Sequence, residues 1–271
     1  MPELPEVEVT RRGISNVLLN AKIIKVIHDD KKLREPYAEN LQDIEGGIIY
    51  AVDRRAKYII VRTDKGSLIL HLGMSGHLHI SSETTLQLHD HFELVLDNGK
   101  NVILNDTRRF GLVLYIPAGD EPLEDHHLKN LGPEPFEENF NAQYLLSKFK
   151  GKKKTIKQIL MDGAIVVGVG NIYASEILFA CKILPTRLAS SIKEQEAELI
   201  VDHTRRILKE SILRGGTTIR DFEGADGKKG YFVQNLFVYG HEGKPCKICG
   251  STIEMVTLGQ RSTYYCPKCQ K

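Results

Sequence analysis

The stretch KYIIVRTDKGSLILHL, Lys57 to Leu72, holds two aliphatic, β-branched runs separated by Asp64-Lys65-Gly66. Two short apolar runs around a glycine-containing turn are the pattern of a β-hairpin. The pattern continues in both directions. Upstream lie AKIIKVI (21–27) and GGIIYAV (46–52). Downstream lie HFELVL (91–96) and NVIL (101–104), joined through Asp97-Asn98-Gly99, and then GLVLYI (111–116). Strands this closely spaced, with no helix between them, predict an antiparallel sandwich or barrel over residues 21–117.

Outside that block the period changes. Residues 3–19 predict an amphipathic helix, with Ile14, Val17 and Leu18 on one face and Glu3 and Glu6 near its positive end. Pro117, Gly119, Pro122, Gly132, Pro133 and Pro135 give 118–136 the composition of a linker. Helical periods follow. One helix is expected from Asn171 through Cys181. Another is headed by Ser191 and Glu194 at capping-box spacing and ended by Gly215-Gly216. Residues 217–230, TTIRDFEGADGKKG, lack an apolar period and read as a long functional loop. YFVQNLFVYG (231–240) and the cysteine region predict a small β-rich tail. The fold class is α+β. It divides into 1–117, a β-sandwich domain with its N-terminal helix; 118–136, a linker; 137–230, a helical domain; and 231–271, a metal-bound tail.

Four of the five cysteines fall in the last 26 residues, as Cys246-x₂-Cys249 and Cys266-x₂-Cys269 with sixteen residues between the pairs. This spacing fits one zinc held by four thiolates. Four thiolates leave no open position for water, so the zinc is structural and stabilises a tail too short to fold alone. The tip of the intervening hairpin, Gly259-Gln260-Arg261-Ser262-Thr263, either staples the fold or carries Arg261 to a DNA phosphate. Cys181 sits in the apolar run LFACKI and reads as a core residue.

The net charge of +2 says little about a partner. Distribution says more. Basic residues cluster at Arg54, Arg55 and Lys57, at Arg108 and Arg109, at Lys150 and Lys152 to Lys154, and at Lys228 and Lys229. Such clusters either assemble a phosphate-facing groove or are scattered solvated charge. A hydrophobic fraction of 41% and a charged fraction of 27% are those of a globular protein. No apolar run approaches the roughly 18 residues that span a bilayer. The opening MPELPEVEV lacks a signal pattern. A cytoplasmic monomer with no membrane partner and no small-molecule cofactor is expected.

MPELPEVE at the start, HLGMSG (71–76), DTRRFG (106–111), GVGNIYASE (168–176) and the finger ending CPKCQK together resemble the bacterial formamidopyrimidine-DNA glycosylases, over essentially the whole chain. The resemblance implies a base-excision-repair enzyme acting on double-stranded damaged DNA. It excises oxidised purines such as 8-oxoguanine and formamidopyrimidines, then cleaves the strand by β,δ-elimination. With Met1 removed, Pro2 is an N-terminal secondary amine. An α-amino group has a pKa of about 7.7–8.0, against about 10.4 for lysine, so a useful fraction is nucleophilic near neutral pH. By similarity Glu3 is the proton donor, and Glu6 and Glu176 are further acidic positions near the reaction centre. Lys57 is a strand-borne lysine that reaches DNA phosphate and assists elimination, and Arg261 assists the later elimination. A flipped-out base leaves a hole to fill. By similarity Met74, Arg108 and Phe110 wedge into the duplex, with Arg108 facing the orphaned cytosine. His89, Lys153 and Asn171 match other DNA contacts, and residues 217–230 match the lesion lid. Thr107 stands where many relatives carry proline. For Pro2 and Glu3 alone the plain alternative is a helix start, and for Met74 or Phe110 alone it is core packing.

Two other readings stand beside this one. A non-catalytic zinc-finger module that binds damaged DNA explains the finger and the basic clusters but not the Pro-Glu start. A sister family resembling endonuclease VIII uses the same proline on oxidised pyrimidines. The PELPE opening and the Met74, Arg108, Phe110 set favour the purine branch.

Overall fold

A computed structural model describes residues 2–83, 86–216 and 236–271 of the chain. They fall into two compact units. One is residues 2–129 with 214–216, and the other is 130–213 with 236–271. No helix among the described residues is long and apolar enough to cross a membrane.

The first unit opens with helix α1 (Leu4–Leu18) and continues as strands β1 (Ile23–His28), β2 (Ile49–Arg55), β3 (Tyr58–Thr63), β4 (Gly66–His71), β5 (His77–Ser81), β6 (Asp90–Leu96), β7 (Asn101–Asn105) and β8 (Leu112–Pro117). They make two four-stranded sheets, ordered β1-β6-β7-β5 and β2-β3-β4-β8. Every pairing is antiparallel. The stretch that predicted a hairpin forms one. Thr63 pairs with Gly66 across Asp64-Lys65, and Gly66 takes φ +129°, open to glycine alone at low strain. Phe92, Leu94 and Leu104 of one sheet and Ile59, Val61, Leu68 and Leu70 of the other share a core with Val7, Ile14 and Leu18 of α1. Burying each such side chain contributes roughly 1.5–3 kcal/mol. The predicted helix face is thus the buried one, with Val17 packed at its edge.

One strand escaped the sequence reading. β5, His77-Leu78-His79-Ile80-Ser81, alternates histidine with aliphatic residues and holds no β-branched run. It forms because β7 offers it a full antiparallel edge, from His77 opposite Asn105 to Ser81 opposite Asn101.

The second unit holds α2 (Ala142–Phe149), α3 (Ile156–Leu160), α4 (Asn171–Ala180), α5 (Glu194–Leu213) and a hairpin of β9 (Glu254–Leu258) and β10 (Arg261–Tyr265). α4 begins at Asn171 as expected and is buried from Ile172 to Phe179, an apolar helix within the core. The expected capping box of α5 is displaced. Ser191 ends a 3₁₀ turn and its Oγ donates to Leu188 O at 2.8 Å. The carboxylate that reaches back is Glu196, which accepts the Lys193 N–H at 2.9 Å. Gly215 and Gly216, both at positive φ, follow the helix end. The described part of 231–240, from Leu236 to Gly240, is turn rather than the expected strand. The loop 217–230 lies outside the described residues.

Candidate functional site

The head of α1 sets the first cluster. Pro2 is buried, and Glu3, 2% exposed, is the N-cap with extended backbone. The Glu3 N–H donates to Glu6 Oε2 at 2.8 Å. Pro5 in the first turn lacks an N–H and has a helix-ready φ, while Glu6 complements the helix dipole. One turn on, Glu8 binds three arginines, with Arg11 at 2.8 Å, Arg12 at 2.7 Å and Arg54 at 3.2 Å. Burial alone would raise the Glu8 carboxyl. The hydrogen bonds of Arg11 and Arg12 and the nearby charges outweigh it and bring the pKa down to about 2. These arginines tie α1 to the sheet. Arg11 donates to Val52 O at 3.0 Å, and Arg54 donates to Ala56 O at 2.9 Å. Ala56 (φ +55°) and Lys57 are the two-residue turn between β2 and β3. Lys57 is therefore carried on a turn, not on a strand as the resemblance implied, because Arg55 already pairs with Tyr58. Arg54 pins that turn to the helix that starts at Pro2 and Glu3.

The second cluster is built round Asp106, fully buried and given no role by the sequence reading. Its Oδ1 accepts from Ser75 Oγ at 2.7 Å and from the Arg108 N–H at 3.2 Å, and its Oδ2 accepts from the Gly111 N–H at 2.7 Å. Its own N–H donates to His89 O at 2.9 Å, and its carbonyl lies 2.9 Å from His91 Nε2. The Asp106 carboxylate thereby joins the loop of Met74 to the loop of Arg108 and Phe110, and its backbone N–H adds the turn of His89. The loops also touch backbone to backbone. Gly73 sits at φ +63°, and a Cβ there would come within 2.4 Å of the Phe110 carbonyl carbon, so only glycine fits. The Gly73 N–H donates to His71 Nδ1 at 3.0 Å. Burial, then the charges of Arg34 and Lys57, push the His71 pKa down to about 4, so it is neutral near pH 7.

What this frame presents is a small exposed group. Phe110 is 44% exposed, which removes the core-packing alternative for it, and the Arg108 guanidinium lies 4.8 Å over its ring. Met74 is half-buried. Arg109 turns the other way and is spent on an ion pair with Asp29 and a 2.9 Å bond to Lys31 O. His89 is exposed, at φ +72°.

In the second unit, Lys157 is 1% exposed. Its Nζ donates to Asn171 Oδ1 at 2.6 Å, Thr263 Oγ1 at 2.6 Å and Ser262 O at 3.1 Å. Asn171 Nδ2 donates to the same Ser262 carbonyl at 3.0 Å. The Asn171 carboxamide is thus bound inside the protein, clamping the start of α4 to the strand that Arg261 begins. Arg261 is exposed and pairs with Leu258, so the hairpin tip is only Gly259-Gln260, and the arginine stands on the strand beside it. Lys153 is exposed ahead of α3. Glu176, 5% exposed, accepts the backbone N–H groups of Phe237, Val238 and Tyr239 at 2.9, 3.0 and 2.9 Å. Burial pushes its carboxyl up against those three bonds.

The four cysteine sulfurs lie within 4.8 Å of one another, with Cys246 to Cys269 at 3.9 Å and Cys249 to Cys266 at 3.5 Å. Zinc–sulfur bonds of about 2.3 Å in a tetrahedron place sulfurs about 3.8 Å apart, so the donor set fits a closed zinc site. Cys181 is 6% exposed, and burial raises its thiol to about 12, which makes it an inert core residue.

Asp106, His71, Glu8 and Lys157 are the functional supports that sequence reasoning missed. Two left a local trace. Asp106 stands two residues before Arg108, the Asx-turn offset, and Glu8 has arginines at both i+3 and i+4. His71 and Lys157 left none.

Comparison with known proteins bears on the same segments. Residues 1–113 match the formamidopyrimidine-DNA glycosylase N-terminal domain, 131–223 its H2TH domain, and 243–271 the zinc finger found in FPG and IleRS. The chain is 49% identical over 272 residues to the formamidopyrimidine-DNA glycosylase of Vibrio vulnificus strain CMCP6, covering 100% of both. It resembles the crystal structure of MutM (Fpg) from Thermus thermophilus, with TM-score 0.88, 37% identity, and 99% and 98% of the two chains covered. It also resembles a Lactococcus lactis Fpg mutant in complex with Fapy-dG-containing DNA, with TM-score 0.92, 32% identity and 100% of both chains covered. With its sandwich, helical segment and four-cysteine hairpin accounted for end to end, the chain belongs to the formamidopyrimidine-DNA glycosylase family.

Proposed function

We propose that the chain is a bifunctional DNA glycosylase and AP lyase of base excision repair, working in the bacterial cytoplasm on double-stranded DNA that carries oxidised purines. After removal of Met1, the Pro2 amine attacks C1′ of the damaged nucleotide. The glycosidic bond breaks, its electron pair leaves with the base, the amine loses its proton, and an N,O-acetal joins Pro2 to C1′ until cleavage of the C1′–O4′ bond turns it into an iminium. Glu3 donates the proton that opens the ring at O4′. The iminium acidifies C2′. Loss of that proton expels the 3′ phosphate, and a second elimination expels the 5′ phosphate. Water then hydrolyses the iminium and frees the amine. Lys57 and Arg261 support the eliminations. Met74, Arg108 and Phe110 fill the gap left by the flipped nucleotide, and His89, Lys153 and Asn171 steady the backbone. The four thiolates hold one structural zinc that shapes the hairpin. The division into 1–117, 118–136, 137–230 and 231–271 follows these tasks.

The observation that carries this reading is the head of α1. Pro2 and Glu3 are both buried there, and the turn bearing Lys57 is locked to that same helix through Glu8 and Arg54. Borohydride trapping on an 8-oxoguanine duplex tests it. The processed protein should give a covalent adduct, and protein retaining Met1 should give none while still binding duplex. An adduct of undiminished yield with Met1 retained moves the nucleophile elsewhere. A lesion panel on which oxidised pyrimidines are cut faster than purines would favour the endonuclease VIII-like reading.

A further inference from the structure

The segment after β1 and the segment after β8 meet at a cluster that none of these steps uses. The His127 side chain is 6% exposed and lies between two carboxylates. Its Nδ1 is 2.8 Å from Asp125 Oδ1, and its Nε2 is 2.9 Å from Glu35 Oε1. Asp125 Oδ1 is further held by the His127 backbone N–H at 2.9 Å.

A neutral imidazole carries a single N–H. Given to Asp125, it leaves a lone pair on Nε2 that faces a carboxylate oxygen at hydrogen-bond distance. Two acceptors in such contact require something positive between them, either a proton or a metal ion. The rest of the cluster favours the metal. The His126 ring centroid lies 3.8 Å from that of His127 with the planes tilted by 43°, and His126 Nδ1 is 3.6 Å from Asp125 Oδ2. One ligand atom each from Glu35, His126 and His127 lies within 4.8 Å of the other two. A metal takes up both imidazoles as ligands, and a carboxylate behind a ligating histidine is the usual support for such a ligand.

We propose that Glu35, His126 and His127 bind one divalent transition cation of the zinc class, separate from the four-thiolate centre, with Asp125 orienting His127. Imidazole and carboxylate donors suit zinc. Bonds of about 2.0–2.2 Å set tetrahedral ligand atoms roughly 3.3 Å apart. Rotation of the His126 side chain, 68% exposed, supplies the closure. Three protein ligands leave one position for water. The site lies near the Lys57 turn, since the His127 ring is 6.4 Å from that of Tyr58, the residue after Lys57. An occupied site puts a further positive charge beside the Lys57 turn.

Equilibrium dialysis of the full chain against micromolar Zn²⁺, with bound zinc counted by atomic emission, tests the proposal. The protein as it stands should hold two zinc ions per chain. H126A and E35A should each hold one, with H126A melting at the unaltered temperature when no zinc is added, because that side chain is exposed. One zinc per chain in the unsubstituted protein would mean that a proton makes the bridge and would overturn the proposal. Two in both variants would place the additional ion elsewhere and overturn it equally.

Discussion

The two units hold their functional side chains by different means. In the first, buried carboxylates do it. Glu8 gathers three arginines and pins the Lys57 turn, and Asp106 gathers the O–H of Ser75 and the N–H groups of Arg108 and Gly111. In the second, the hairpin bearing Arg261 is held by a metal site at its base and by the buried ammonium of Lys157 at its start. The difference follows from core size. Two four-stranded sheets and α1 bury enough apolar surface to fold unaided, and polar hubs then need only place loops. The finger's own core is little more than Val238, Ile253 and the cysteines, packed with Phe179 of α4, too little to stand without metal.

The largest test of that contrast is chelation. Structural zinc contributes on the order of 10–16 kcal/mol of apparent binding free energy to small fingers at neutral pH. Stripping it should abolish lesion cleavage and expose 243–271 to trypsin, while the far-UV signal of the sandwich persists. Collapse of the sandwich together with the finger would erase the contrast.

Next is D106A, which leaves the Ser75, Arg108 and Gly111 donors without their acceptor. A stability loss of about 2–3 kcal/mol by urea unfolding is expected, since unsatisfied buried donors cost about 1–3 kcal/mol. A clear drop in affinity for duplexes with a lesion opposite cytosine should accompany it. A loss confined to stability would reduce Asp106 to a fold residue.

K157M should act within the second unit. It removes the cation shared by Asn171, Ser262 and Thr263, and it should weaken duplex binding without loss of zinc, as read by gel shift and metal analysis. Unchanged binding would make the clamp decorative.

The smallest effect is the pH response of Glu8. Its folded pKa is depressed, so its contribution is complete above the ordinary carboxyl value of 4.5 and is lost as pH falls through about 2. E8Q should flatten the acid limb of the stability curve between pH 4.5 and 2. Its AP-site cleavage should slow more than its duplex binding, because the Lys57 turn is released. An unaltered acid limb would show that the Glu8 carboxyl is not held below its ordinary value by Arg11, Arg12 and Arg54.

Patterns that rest on neighbours in sequence were legible. The hairpins at Asp64-Lys65-Gly66 and Asp97-Asn98-Gly99, the helix from Asn171 and the paired Cys-x₂-Cys motifs all formed as read. β5 and the true cap of α5 were not legible. His77–Ser81 is a strand because an edge awaits it, and the carboxylate that reaches back is Glu196, to the Lys193 N–H, while the Ser191 N–H donates to Leu188 O. Lys57 was read one element out, since the difference between strand end and turn is a single pairing, Arg55 with Tyr58.

What the sequence by itself determined is the inventory: an α+β chain, a Met-Pro-Glu opening, a four-cysteine tail, and glycine-containing loops that carry arginine and phenylalanine. What only the tertiary structure decided is which charges face inward. Asp106 serves residues 31 positions earlier and 5 positions later, and Lys157 reaches across 106 positions to Thr263. Of the adjacent arginines, 109 is consumed by Asp29 while 108 stays outside. Periodicity and spacing carry information over a turn or a hairpin. The partner of a buried charge is chosen by whichever donors or acceptors the packed core brings within about 3 Å, because an unpaired one is too costly to bury.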